Sequence, residues 1–220
     1  MNTVIKHIVN RTYRPLLAKY LSKTRIYCYE DIRLEIAPQV FHPGFFFSTQ
    51  LLLQYVKKIP LHEKRFLELG CGSGLISIIA AKKGATVTAT DINPVAIEFL
   101  KENSTTNKVD IELIRSDLFK NIPARQFDII AINPPYYKKQ PVIAKDYAWF
   151  CGENGEYFSS LFYSLAEYIH DDTEILMVLS DGCDLKMISG FAEAYGFSLN
   201  CVYSKRNILE TGFIFKIVKR

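Results

Sequence analysis

The chain has 220 residues, 49% of them hydrophobic, which is enough for one large α/β domain with a short N-terminal appendage. Its net charge is a mild +4. No apolar run reaches the roughly 20 residues that span a bilayer, and the start lacks the apolar core of a signal peptide. Five cysteines (Cys28, Cys71, Cys151, Cys183, Cys201) without CxxC spacing support neither a disulfide framework nor a zinc site. A reduced, cytoplasmic protein without membrane contact is expected. The charge is unevenly placed: Lys6, Arg11, Arg14, Lys19, Lys23 and Arg25 precede any acid. This stretch reads as a basic arm for RNA, the ribosome or an acidic protein. It also reads, more simply, as an amphipathic helix with Ile5, Ile8, Leu16, Leu17 and Leu21 inward. A mitochondrial presequence would carry more serines.

Residues 1 to about 25 are expected to form one or two short helices, interrupted near Pro15. Ile26 to Ile36 reads as a hairpin or an extended segment, with Leu34 and Ile36 on one face. In Phe41 to Thr49 a Pro-Gly turn is followed by three aromatics, and Ser48 or Thr49 is a candidate N-cap for a helix over Gln50 to Lys58. From there strands and helices alternate. Strands are expected at Arg65–Leu69, Thr86–Thr90, Ile111–Ile114, Phe127–Ile132 and Glu174–Ser180. Helices are expected at Leu75–Lys82, Val95–Asn107, Tyr157–His170 and Leu185–Tyr195, the last ending at Gly196. Two β segments, Phe197–Tyr203 and Gly212–Val218, close the chain as a hairpin. This alternation defines a Rossmann-like, doubly wound, mostly parallel seven-stranded sheet with helices on both faces and a short N-terminal helical appendage. The expected division is residues 1–40 for the appendage and 41–220 for the catalytic domain.

The most informative stretch is Asn133-Pro134-Pro135-Tyr136, directly after an apolar strand. Two prolines end strand pairing and stiffen the turn. An amide, two backbone carbonyls and an aromatic ring then stand at the ligand-binding edge of an α/β sheet. Asn133 Oδ1 and the Pro134 carbonyl can accept the two hydrogens of a planar NH2, while Tyr136 stacks on its face. Taken alone, the stretch is equally well a proline turn without chemistry.

Three further strand ends favour a ligand. Gly70, Gly72 and Gly74 let the backbone approach a flat group closely. The dinucleotide fingerprint fails at its third glycine, where Leu75 stands. Asp91 can accept both hydroxyls of a ribose, or serve as a turn residue before Asn93-Pro94. Asp117 can meet an adenine amino group, or be a solvated turn aspartate. All four groups fall on one edge of a parallel sheet.

The motifs ELGCGSG (68–74), DINP (91–94), SDLF (116–119) and NPPY (133–136) resemble those of class I S-adenosylmethionine-dependent methyltransferases. Within that class the chain resembles the release-factor glutamine N-methyltransferase branch of the methyltransferase small domain. The resemblance implies S-adenosylmethionine as cofactor, with Glu68, Gly70, Cys71, Gly72, Gly74, Asp91, Ile92, Asp117, Leu118 and Asn133 around it. It implies Asn133, Pro134 and Tyr136 as the catalytic group, and Phe47, Thr49, Pro135, Tyr136 and Tyr137 at the acceptor. It also implies methylation of a planar nitrogen: a protein glutamine amide, as in a translation factor, or an exocyclic amine of adenine or guanine. The large N-terminal helical domain of the bacterial glutamine enzymes does not fit before Phe41, and Phe41–Thr49 is similar in protein and ribosomal RNA guanine methyltransferases.

Methyl transfer to such a nitrogen needs positioning and fixed dipoles rather than a base. His42 is accordingly read as a loop residue. The long connection Tyr136–Glu156 reads as a lid or substrate-reading loop. Its Lys138, Lys139, Lys145, Tyr137, Tyr147 and Trp149 suit bases and phosphates, although Asp146, Glu153 and Glu156 offset the charge. An NAD-type oxidoreductase and a non-catalytic nucleoside-binding module are the competing readings.

Overall fold

The computed structural model describes residues 19–38 and 40–220. The helices expected near the N-terminus, with Lys6, Arg11 and Arg14, lie outside the described residues. The first described residues, Lys19 and Tyr20, are helical, and an antiparallel hairpin follows, β1 (Arg25–Tyr29) and β2 (Ile32–Ile36). Ile32, Leu34 and Ile36 alternate inward along β2 and are buried, as period-2 patterning requires.

The main sheet comprises β3 (Arg65–Leu69), β4 (Thr86–Asp91), β5 (Ile111–Arg115), β6 (Phe127–Ile132), β7 (Ile169–Ser180), β8 (Phe197–Arg206) and β9 (Thr211–Lys219). Its order is β5-β4-β3-β6-β7-β9-β8. The first five are parallel, and β9 runs antiparallel to both β7 and β8. Helices α1 (Phe47–Val56), α2 (Leu75–Lys82) and α3 (Pro94–Thr106) pack with the hairpin on one face. Helices α4 (Glu156–Leu165) and α5 (Leu185–Ala194) pack on the other. Successive strand residues feed opposite cores: Phe66 and Ile129 join the first, Leu67 and Ile130 the second. Chain order reverses at β3, which pairs with β4 on one side and β6 on the other. A crevice therefore opens above the C-terminal ends of these strands.

Several element ends differ from expectation. Helix α1 begins at Phe47, and its N-cap is Phe46 without a side-chain bond, so neither Ser48 nor Thr49 caps it. Thr49 is committed elsewhere, as shown below. The helix read as reaching His170 ends at Leu165, and β7 starts at Ile169. Here the Tyr168 hydroxyl donates to the carbonyls of Phe119 (3.3 Å) and Ile122 (3.0 Å). Its ring stacks on Phe119 at 4.4 Å. Ala166–Tyr168 continue as a 3-10 turn, and these contacts fix Tyr168 where the chain passes into β7. At α3, Asn93 caps through Val95 N–H and Pro94 takes the first turn.

The hairpin is docked by Asn103 of α3 and by Asn107, the C-cap of that helix. Asn103 accepts from Glu35 N–H (2.8 Å) and donates to Glu35 C=O (3.0 Å). Asn107 does the same for Arg33, at 3.1 and 2.8 Å. The two carboxamides replace a neighbouring strand along the open edge of β2. Both are buried, at 2% and 8% exposure. Asn103→Ala leaves a paired donor and acceptor without partners, so it should destabilise the fold by about 1–3 kcal/mol. A lower urea midpoint at unchanged m-value checks this.

Candidate active site

The glycine turn after β3 is fastened to the end of β4. Gly70 and Cys71 N–H both donate to the Thr90 carbonyl, at 2.9 and 2.8 Å. Gly72 N–H donates to Asp91 Oδ2 (2.9 Å), and Asn93 N–H donates to Asp91 Oδ1 (2.8 Å). Gly70 and Gly72 adopt φ of 73° and 50°. A Cβ built on Gly70 meets nothing within 4 Å, and one on Gly72 only the Phe41 side chain at 3.8 Å. The turn thus borders open space that side chains would occupy.

That space is a cavity of about 330 Å³. It is lined by the turn, Asp91, Ile92, Asp117 and Leu118 on one side and by Asn133, Pro134, Pro135, Tyr136 and Tyr137 on the other. Glu68, Cys71 and Thr49 also reach it. Two residues read as site residues do not. Gly74 is the N-cap of α2, and a Cβ there would strike Leu100 of α3 at 2.1 Å, so its role is helix packing. Phe47 packs on the core beside Gly212 of β9, because α1 starts early enough to turn its ring inward. His42 lies outside the lining too: its Nδ1 accepts from Gly44 N–H, and burial lowers its pKa.

The long connection folds back over the cavity. Tyr137 N–H donates to Trp149 C=O and Cys151 N–H to Tyr137 C=O, each at 3.0 Å. Trp149 then meets the aromatic loop, 5.1 Å from Phe41 and 5.0 Å from Phe46 between ring centroids. Phe41 and Phe46 stack at 3.9 Å. Sequence reasoning noticed these aromatics but could not join them. It missed Tyr157, the second residue of α4, which lines the cavity and lies near enough to feel Asp91 and Asp117. The glycine-bounded stretch before it, Gly152–Gly155, was the available signal.

The lining carries Glu68, Asp91, Asp117 and Glu156, and among the described residues it holds no Lys, Arg or His. Such a cavity favours a cationic ligand. Burial raises the pKa of Asp91, opposed by the N–H groups of Asn93, Gly72 and Ile92. Burial pushes Glu68 up to about 8; the Ser77 hydroxyl and N–H oppose this, and Asp91 adds to it. Asn133 Nδ2 donates to Thr49 Oγ1 at 3.3 Å. Among the described residues nothing donates to its Oδ1, which remains an acceptor at the cavity wall.

Strand order, glycine turn and paired carboxylates together define the class I methyltransferase fold. The chain belongs to the methyltransferase small domain family, whose profile matches residues 32–150. It is 44% identical over 108 residues to a Methanocaldococcus jannaschii protein whose name assigns it, provisionally, protein N5-glutamine methyltransferase activity. That match covers 49% of this chain and 52% of the relative. It is 34% identical over 131 residues to a ribosomal protein L11 methyltransferase of Thermosipho africanus, covering 59% and 50%. The chain thus spans about half the length of these relatives. Among solved structures, the T. thermophilus 16S rRNA N2 G1207 methyltransferase with AdoMet and guanosine superposes with a TM-score of 0.65 at 17% identity. That superposition covers 90% of this chain and 50% of the other.

Glu68 makes the site pH-sensitive. A carboxyl whose folded pKa is raised binds its proton more tightly folded than unfolded. Its contribution is full below the unfolded value near 4.5 and is lost as pH rises through about 8. Glu68→Gln, a fixed mimic of the protonated form, should fall less in stability than the parent between these values. Urea midpoints at the two ends of this range measure the difference.

Proposed function

We propose that the protein is an S-adenosylmethionine-dependent N-methyltransferase acting on a planar NH2, foremost a protein glutamine amide. One observation carries this reading: Asn133 and the Gly70–Gly72 turn face one cavity, with Asn133 Oδ1 open as an acceptor. Glu68, Gly70, Cys71, Gly72, Asp91, Ile92, Asp117 and Leu118 would hold the cofactor. The open backbone at Gly70 and the carboxylate of Asp91 fit a nucleoside, and the acidic lining fits a sulfonium. When bound, S-adenosylmethionine supplies a methyl carbon activated by positive sulfur.

The acceptor is the difficult partner, because the lone pair of an amide nitrogen is delocalised. Asn133 Oδ1 and the Pro134 carbonyl accept its two hydrogens and turn the lone pair out of conjugation. The Pro-Pro turn keeps both acceptors fixed, so no reorganisation is required. Tyr136 covers the face of the NH2 group, and burial keeps its hydroxyl protonated. Pro135, Tyr137 and Thr49 line the acceptor's approach. No histidine lies among the described lining residues, and a cationic N-alkylated nitrogen sheds its proton to water unaided.

The absence of Lys and Arg from that lining favours a neutral amide over a polyanion. The second reading, an exocyclic amine of a nucleic acid, draws on the exposed rings of Tyr137 and Tyr147 at the cavity. The name of the M. jannaschii relative supports the glutamine reading; the T. thermophilus neighbour's title supports the other.

Tritiated methyl donor added to lysate should label material that protease destroys and nuclease spares; the reverse result assigns a nucleic acid. Asn133→Ala should cut turnover by about 10²–10³-fold, the usual loss for one preorganised group at a reacting centre. Calorimetry should find its affinity for S-adenosylhomocysteine nearly unchanged. Full turnover in that variant would end the proposal.

A further inference from the structure

A cavity shaped for a glutamine amide already has a glutamine on its wall. Among the described glutamines, Gln50 and Gln54 have partners: Gln50 Nε2 donates to Pro43 C=O (3.1 Å), and Gln54 Oε1 accepts from Lys205 Nζ (3.5 Å). Gln126 is exposed and lies outside the cavity lining. Gln140 alone of the four belongs to that lining, with Asn133, Pro134 and the glycine turn. It is exposed, and among the described residues nothing hydrogen-bonds to its carboxamide. An amide with two free N–H bonds therefore stands in the cavity whose far wall offers acceptors for such a group.

The lid holds this residue in place on both sides. Just before it, Gly152 N–H donates to Lys139 C=O (3.2 Å), and Lys139 Nζ lies over the Phe150 ring. Just after it, Asp146 Oδ2 accepts from Val142 and Ile143 N–H, at 3.0 and 3.3 Å. Pro141 restricts the Gln140 backbone to extended conformations. The residue thus hangs between two fastened points at the cavity mouth, while its side chain keeps its freedom. A reactant tethered in this way needs no encounter step, which raises its effective concentration far above that of a free one.

We propose that Gln140 is a modification site: the protein methylates its own lid at the Gln140 side-chain amide nitrogen. This rests on the amide reading of the site given above. In the step, Gln140 Nε2 forms a bond to the methyl carbon as the carbon–sulfur bond of the donor breaks and sulfur keeps the electron pair. The nitrogen then loses one of its two protons to water. The products are S-adenosylhomocysteine and a chain with one N-methylglutamine, which retains a single N–H.

The test incubates the purified full chain with S-adenosylmethionine and no lysate. Mass spectrometry should find a gain of one methylene per chain, and fragmentation should place it on Gln140; methyl already carried on purification counts as the same product. The rate per chain should not change on dilution. Gln140→Glu should gain nothing, whereas Gln126→Glu should gain the methyl at the parental rate. Asn133→Ala should lose the self-methylation yet still bind S-adenosylhomocysteine. Proximity is read without turnover: in the chain saturated with S-adenosylhomocysteine, the Gln140 amide protons should show a nuclear Overhauser contact with the Tyr136 ring.

In the lysate experiment, label on the chain itself is counted apart from label on lysate material. Labelled lysate protein beside an unmethylated chain would overturn this inference alone. So would a methyl on another residue, a rate per chain that falls on dilution, or a missing Overhauser contact. Label confined to nucleic acid, with none on any protein, would instead remove the amide reading, and this inference with it.

Discussion

The clamp of β4 on the glycine turn is the constraint on which the site depends. Leu69 and Thr90 are register partners in parallel strands. The next three backbone N–H groups, those of Gly70, Cys71 and Gly72, go to Thr90 and Asp91. With its donors fixed, the turn has one path, and that path requires positive φ at Gly70, Gly72 and Gly74. Gly74 must then lie against Leu100, which seats α2 beside α3. One turn thereby sets the cofactor wall, the direction of a helix and the packing of its neighbour. Asp91 serves both sides: two of its acceptor positions are used internally, and a carboxylate has more to offer a ribose.

The opposite wall is stiff for a different reason. Two prolines deprive the chain of ladder donors just where β6 ends. The connection beyond does not wander, because Tyr137 and Cys151 pair their backbones and Trp149 docks on Phe41 and Phe46. The cavity is thus enclosed between a hydrogen-bonded turn and a proline bend. Its charge comes from carboxylates alone among the described lining residues. Two basic side chains of the connection are engaged elsewhere: Lys138 pairs with Asp184, and Lys139 lies over the Phe150 ring. Within the proposed chemistry, this distribution favours an amide on a protein over a base on a phosphate backbone.

Much of this was legible from residues alone. β3, β6 and α2 have the expected bounds, because fully buried parallel strands and a glycine-led helix announce themselves through continuous apolar runs and turn residues. The four motif ends share one edge because βαβ units place them there. Local pattern misled where a tertiary partner competed. Tyr168 ends its helix in a 3-10 turn with its hydroxyl on two carbonyls, and α1 began three residues early, with its hydroxyl residues inside the helix. The resemblance implied Phe47 and Gly74 as site residues, yet Phe47 packs beside Gly212 of β9 and Gly74 lies against Leu100 of α3.

The sequence by itself determined the fold class, the sheet edge that carries the chemistry, and the pairing of a glycine turn with a proline bend. These follow from strand periodicity and from the backbone limits of glycine and proline, which are properties of neighbouring residues. Only the tertiary structure decided that Asn133 meets Thr49, which aromatics close the cavity, and that Asn103 and Asn107 complete the edge of β2. Those outcomes are contacts between residues far apart in the chain, and a hydrogen bond of that kind leaves no trace in local pattern.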